Sequence, residues 1–371
     1  GAGEGPAPGE WQPNGRKGAM LATKQPLLRH FWYPVMPLEK LGSGPQAFRL
    51  LGEDIVLWLA EDGQPAAVRD RCAHRSARLS GGWVKDCQIV CPYHGWRYGS
   101  DGVCALIPQT PDKPASRARV SAYHCAARYG YVWVALEDPI LALPEMPEHD
   151  QPGLRCIPEF YEPWQTAGLR LMENSFDNAH LSFVHRDSFG PADPVPAELE
   201  IHETDYGFRM KSAVPVTNPE LQKELLGMHD DRTVRYMTSD WFMPFGRKLH
   251  IRYPNGVVHS IVTFATPMED DKSMVCQWVY RSDSEEEAPA EGVVAFDRQV
   301  TQEDQTVLEG TDFDVPLDSS SSEERHMPSD KPGLVMRQQL AAMLARYGET
   351  EARRTPGISA SRDDNRGRVA S

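Results

Sequence analysis

Cys72-Ala-His74-Arg75 and Cys91-Pro-Tyr-His94-Gly-Trp96, with sixteen residues between His74 and Cys91, are the stretches from which the rest of the chain can be read. Each holds one thiol and one imidazole, at Cys-x-His and Cys-x-x-His spacing. Thiolates are soft donors and imidazoles are borderline, so a mixed set of four suits zinc or an iron–sulfur centre. Zinc fingers usually pair like with like, two Cys close together and two His close together. Here both pairs are mixed. That grouping suits a two-iron cluster in which one iron takes two Cys and the other two His, each loop tip supplying one of each.

The surroundings predict short strands. An aromatic cluster at His30-Phe-Trp-Tyr-Pro-Val35 anchors a first strand, and Phe48 to Ala60 alternates Ile55, Leu57 and Leu59 against Val56 and Trp58, as one arm of a hairpin. Glu61-Asp62-Gly63 is a turn signal and Ala66 to Arg71 the returning strand, so Cys72 and His74 sit on a loop at a strand end. Further strands are expected at 83–90, 96–106 and 129–135. Cys72-Ala-His-Arg, Cys91-Pro-Tyr-His-Gly-Trp-Arg-Tyr and the following Ser100-Asp101-Gly102 resemble a Rieske 2Fe–2S domain. The resemblance implies Cys72, His74, Cys91 and His94 as cluster ligands.

Composition narrows the partners. Of 371 residues, 40% are hydrophobic and 25% charged, ordinary for a globular protein with room for two domains. A net charge of −14 argues against nucleic acid or an anionic membrane as partner. No apolar run approaches the roughly 18 residues that span a bilayer, so a soluble protein without a membrane partner is expected. Seven cysteines, two of them expected ligands, leave five scattered thiols, which reads as a reducing compartment, the cytoplasm, rather than a disulfide framework. A trimmed organellar precursor is compatible with the same residues. Residues 1–25 read as a flexible tail and 353–371 as a mobile C-terminal tail, with Ser319–Glu324 mobile as well.

Downstream, Pro139 to Pro163 is rich in proline and reads as a connection. Helical character runs from Trp164 through His180. The segments 200–212, 233–243, 247–253, 257–266 and 273–281 read as strands of a larger antiparallel sheet, and 292–310 and 331–347 as helices. In Asn174-Ser-Phe-Asp177-Asn-Ala-His180-Leu-Ser-Phe-Val-His185, two histidines and polar residues stand close among apolar ones. A lone histidine there would more often be a satisfied core residue. On a helix Asp177 and His180 would stand about 60° apart, but His185 would fall about 140° from His180, so both reach one metal only if the helix ends or bulges between them.

Two His and a carboxylate on one face of an iron form the facial triad of non-haem iron oxygenases. The spacing of Asp177, His180 and His185 is similar to that of Rieske oxygenase catalytic domains. The third ligand must come from elsewhere, among Asp297, Glu303, Asp304 and Glu309. On a helical wheel of 292–310, Asp304 falls mid-way in an apolar arc of Val293, Val294, Phe296, Val300, Val307 and Leu308; Glu303 lies at its edge and Glu309 on the far side. Asp297 shares Asp304's face two turns earlier and stays open as an alternative. The resemblance favours Asp304, in Glu303-Asp304-Gln-Thr-Val-Leu308.

An α+β chain follows, with a small all-β Rieske domain (26–140) and a larger catalytic domain (141–352) whose antiparallel sheet is flanked by helices in a helix-grip arrangement. It resembles the vanillate demethylase-like, α-subunit-only Rieske non-haem iron oxygenases. That likeness implies a 2Fe–2S cluster, a mononuclear Fe(II) held by His180, His185 and Asp304, and dioxygen as cosubstrate. It further implies electrons from a ferredoxin or flavin reductase, with NAD(P)H acting only through it, and hydroxylation or oxidative demethylation of a small aromatic, heterocyclic or alkaloid-like molecule. A head-to-tail homotrimer is implied, in which Asp177 links one subunit's His180 to the next subunit's His94, with Asn174 a weaker supporting residue. Pocket candidates are Leu171, Phe176, Trp241, Phe242, Met243 and 257–265. The alternatives are a chlorophyll-pathway Rieske oxygenase and a Rieske electron carrier without oxygenase activity.

Overall fold

The structure, a computed structural model, describes residues 21–353 apart from 61–62, 114–116, 314 and 322. The expected tails therefore fall mostly outside the described residues, as do Glu61 and Asp62 of the expected turn. Strands numbered in chain order form three antiparallel sheets among the described residues. The first has six: β1 (Tyr33–Pro37), β2 (Gln46–Leu50), β3 (Glu53–Leu59), β4 (Pro65–Arg69), β9 (Ala122–Arg128) and β10 (Tyr131–Ala135), in the order β1-β10-β9-β4-β3-β2. The second is a four-strand meander of β5 (Trp83–Lys85), β6 (Gln88–Val90), β7 (Arg97–Tyr98) and β8 (Cys104–Leu106). This is the small all-β unit that the sequence predicts. Phe48–Ala60 is two strands rather than one arm, because Leu51 and Gly52 both take positive φ (49° and 75°) and turn the chain back.

The third sheet has seven strands: β11 (Arg155–Trp164), β12 (Leu199–Thr204), β13 (Gly207–Thr217), β14 (Arg232–Phe242), β15 (Gly246–Arg252), β16 (Val258–Glu269) and β17 (Lys272–Arg281), in the order β11-β17-β16-β15-β14-β13-β12. Helices α1 (Gly168–Ser175), α2 (Leu181–Val184), α3 (Glu220–Leu226), α4 (Ala290–Leu308) and α5 (Lys331–Arg346) accompany it. The α+β class holds, and several local expectations do not. Residues 155–163, expected in the connection, form an edge strand; Pro158 and Pro163 are tolerated there because one side of an edge strand needs no N–H donors, and the register shifts between Pro158 and Phe160. The segment 200–212 crosses a hairpin turn into β13. Leu21–Gln25 is not a free tail: the Leu21 N–H donates to the Ala352 carbonyl and Gln25 is buried against Glu349. Within Ser319–Glu324, Ser319–Ser321 forms a 3₁₀ turn and Glu324 is ion-paired to Arg170 and Arg337, which holds that segment to the helices.

The six- and seven-stranded sheets share a core. Tyr131 stacks on Trp278 (4.9 Å between centroids) and Trp133 meets Phe264 edge-on (5.1 Å). The Tyr161 hydroxyl donates to the Val35 carbonyl at 2.9 Å. Fully burying one such aromatic stabilises by about 2–3 kcal/mol, so this seam fixes how the small unit sits against the large sheet. No helix of the described residues is long and apolar enough to cross a membrane.

Candidate active site

The two short stretches meet at the tips of loops that follow β4 and β6. Each loop closes on itself: Ser76 N–H donates to the Cys72 carbonyl, and Gly95 N–H to that of Cys91, with Ser76 and Gly95 at positive φ (63° and 74°). Cys72 and Cys91 are buried together against Val56, Val68, Leu79, Ile89 and Tyr98. His74 and His94 lie 4.6 Å apart, centroid to centroid, with His74 stacked on Trp96 at the same distance. The Tyr98 hydroxyl stands 3.2 Å from Cys72 Sγ and accepts from the Ala73 N–H. His74 Nδ1 is buried without a hydrogen-bond partner. Two buried sulfurs, two facing imidazoles and an orphaned ring nitrogen fit a two-iron cluster held by two Cys and two His. All seven cysteines are free.

The second site is built where α1 stops. The helix expected to run through His180 ends at Ser175. The Asp177 carboxylate accepts the Ala179 N–H at 2.7 Å, the local turn that competes with helix. A four-residue helix, Leu181–Val184, then places His180 at its N-cap and His185 at its C-cap. Gly190 N–H donates to the His185 carbonyl, and a Cβ at Gly190 would stand 2.0 Å from the Leu181 carbonyl, so only glycine permits this return. Together these breaks meet the condition that a continuous helix could not, and the two Nε2 atoms lie 3.3 Å apart.

Helix α4 brings Asp304 to the same point, with Oδ1 at 3.5 Å from His180 Nε2 and 3.3 Å from His185 Nε2. The three donor atoms lie within 4.8 Å of one another, a spacing that can hold one metal ion. The outer nitrogens are fixed: His180 Nδ1 faces Asp177 Oδ2 at 3.2 Å, and His185 Nδ1 faces Glu303 Oε2 at 2.7 Å. With the outer nitrogens held by carboxylates, both Nε2 atoms point inward, toward Asp304. Burial alone would push the His180 imidazole down, but Asp177 and Asp304 outweigh it and lift it to about 9. Burial would likewise raise Asp304, yet His180 and His185 hold it well below the usual carboxylate range. An ionised carboxylate between two imidazoles favours positive charge at this point, which a divalent iron would supply in place of a proton.

Asn174 Nδ2 donates to Asp304 Oδ1 at 3.3 Å. Asp297, the alternative on the same face, lies near His259 instead of the two histidines. Glu303 is the residue the wheel undervalued: besides His185 it accepts from the Ser188 hydroxyl at 2.8 Å. An edge position on an amphipathic helix is the signal that could have found it. Replacing Glu303 by Ala is expected to remove the partner of His185 Nδ1 and to weaken iron retention by about 10–100-fold, measured as iron content after dialysis against a chelator.

Beside the three residues opens a cavity of about 770 Å³, its mouth included. Alternating positions of β14, β15 and β16 line it, including Met237, Leu249, Ile251 and Ile261, opposed by Phe296 and Val300 of α4. Of the expected pocket residues, Leu171 borders an adjoining hollow, while Phe176, Trp241 and Phe242 are buried in the core. Within 257–265, His259 and Ile261 face the cavity.

Residues 31–124 match the family model described as Rieske [2Fe-2S] domain, and residues 164–346 match that described as vanillate O-demethylase oxygenase C-terminal domain. The methylxanthine N3-demethylase of Pseudomonas putida is 33% identical over 322 residues, 82% of this chain and 86% of that one. The solved structure of NdmA from Pseudomonas putida CBB5 with caffeine superposes with a TM-score of 0.78 at 28% identity, covering 88% of this chain and 94% of that one. A chlorophyllide a oxygenase of Chlamydomonas reinhardtii is 37% identical over 178 residues, 47% of this chain and 27% of that one.

Proposed function

Because the chain belongs to the Rieske oxygenases with a vanillate O-demethylase-type catalytic domain, we propose that it hydroxylates a small aromatic or heterocyclic molecule, or removes an N- or O-methyl group by hydroxylating its carbon. Dioxygen is the cosubstrate, and a separate ferredoxin or flavin reductase supplies the electrons. The observation that carries this reading is the convergence of His180, His185 and Asp304 at a cavity that mixes apolar side chains with buried polar ones. An electron carrier has no use for a second site of that kind, so the reading without oxygenase activity is set aside. A chlorophyll-type macrocycle is less favoured, because that relative matches under half of this chain, whereas the methylxanthine demethylase matches most of it.

In this reading, Cys72, His74, Cys91 and His94, in a unit spanning 26–140, hold the 2Fe–2S cluster, and His180, His185 and Asp304, in one spanning 141–352, hold the iron. When bound, the cluster supplies single electrons and the iron the redox chemistry that activates dioxygen. The chain's own residues do the rest. Asp177 and Glu303 fix the tautomers of the two histidines. The apolar wall formed by the β-strands and α4 excludes water and holds the substrate's reacting carbon beside the triad. Asp177 is partly exposed and borders an outer hollow with Arg170 and His326. That placement suits a head-to-tail homotrimer in which it meets a neighbouring subunit's His94. The free thiols suit a reducing compartment.

The test is a panel of N-methyl, O-methyl and unsubstituted aromatics incubated with NADH and a surrogate reductase. Formaldehyde released in step with NADH oxidation is expected for a demethylation, and a hydroxylated ring for the other outcome. NADH consumed with peroxide alone across the whole panel would count against the proposal.

A further inference from the structure

Along the cavity from the triad stand polar groups to which the reaction above gives no task. Asp297 precedes Asp304 by seven residues on α4, about 10 Å along the axis, and His259 projects from β16. Both border the cavity and both are more than nine-tenths buried, at 7% and 3% exposure. His259 Nε2 and Asp297 Oδ2 lie 3.6 Å apart, beyond hydrogen-bonding distance, and neither atom has another partner.

Their protonation follows from their neighbours. Arg281 Nη1 lies 3.3 Å from His259 Nδ1, and a guanidinium can only donate, so Nδ1 accepts and Nε2 carries the proton. Burial, with the charges of Arg281 and Arg235, keeps this imidazole neutral. Arg281 is itself neutralised by Asp283. Glu159 lies against Asp297; burial raises both carboxyls, Glu159 further because the Asp297 charge adds to it, while Glu159, Arg281 and Arg235 favour the ionised form of Asp297. The cavity is therefore offered an N–H donor, His259 Nε2, beside a carboxyl oxygen acceptor, Asp297 Oδ2. Buried polar atoms are nearly always completed, and here a ligand can do it.

We propose that His259 and Asp297 orient the substrate by binding a ring N–H adjacent to a carbonyl, the lactam edge of a neutral, planar heterocycle of about two fused rings. The carbonyl accepts from His259 Nε2, and the ring N–H donates to Asp297 Oδ2. About 10 Å between Asp297 and Asp304 accommodates two fused rings between this edge and the triad. The apolar side chains of Met210, Met237, Leu249, Ile261 and Val300 supply flat walls for the faces. The inference rests on the oxygenase reading, because it is the triad toward which the opposite edge of the ring is presented.

The matched probes are 2-quinolone and its N-methyl derivative, in which a methyl group replaces the N–H that would donate to Asp297. Calorimetric titration of the iron-loaded holoprotein is expected to show 2-quinolone binding at least about tenfold more tightly. Asp297→Leu should bring the two ligands within about threefold, whereas His259→Phe should weaken both by about tenfold and leave their order unchanged. If the leucine variant fails to fold, judged by the cluster's EPR signal, the phenylalanine variant decides alone. Equal wild-type affinities, no binding of either probe at millimolar concentration, a preference that survives in Asp297→Leu, or unchanged affinities in His259→Phe would overturn the inference. Iron and sulfide content measured on the same wild-type sample tells this failure apart from failure of the oxygenase reading, which would show as a missing third iron.

Discussion

Asp304→Ala is expected to lose the mononuclear iron and leave the cluster untouched. The side chain provides the only oxygen of the three-atom group formed with His180 and His185. Its ionised state is held by those two imidazoles in spite of burial. Without it, two nitrogens 3.3 Å apart remain, a weak grip on iron. Iron content should fall by about one third, the reduced cluster's EPR signal should persist, and turnover should fall by roughly three orders of magnitude or more. Retained iron with most of the turnover would move the ligand role to another carboxylate. Asp297→Ala is the matching control: it should keep the iron.

Asp177→Asn is expected to keep both metals and still lose nearly all turnover. Asp177 Oδ1 accepts the Ala179 N–H and Oδ2 faces His180 Nδ1. An asparagine can preserve the first contact, so the turn that ends α1 survives. It then sets an amide donor against the imidazole N–H, and the proton link between His180 and the exterior is lost. In the trimer we propose, that link also continues to the neighbouring subunit's cluster. Turnover reduced by about 100-fold or more, with slow reoxidation of a normally reducible cluster, is the expected pattern. Full activity in stopped-flow and steady-state assays would remove Asp177 from the electron path.

What could be read from the sequence follows how locally each feature is encoded. The cluster loops are contiguous, and the mixed Cys/His spacing carries its own chemistry, so their grouping survives translation into three dimensions. The two histidines were legible as a pair, but their geometry was not: the arrest of α1 depends on an Asx turn at Asp177, and the return through Gly190 on a backbone contact to Leu181. Asp304 stood out because an acid in the middle of an apolar arc needs a partner, whereas Glu303 lay only at the arc's edge. The strand 155–164 was hidden by its two prolines, which exclude central strands and not edges. The His259–Asp297 pair was beyond reach, since it joins a strand of the seven-stranded sheet to a helix residue 38 positions later.

The most direct measurement is the ratio of iron to acid-labile sulfide in purified protein reconstituted under anaerobic conditions, with EPR of the dithionite-reduced sample. The account predicts three irons for every two sulfides, a Rieske-type signal from the cluster, and one iron removed by Asp304→Ala. Two irons for two sulfides in the wild type, or zinc without sulfide, would contradict it.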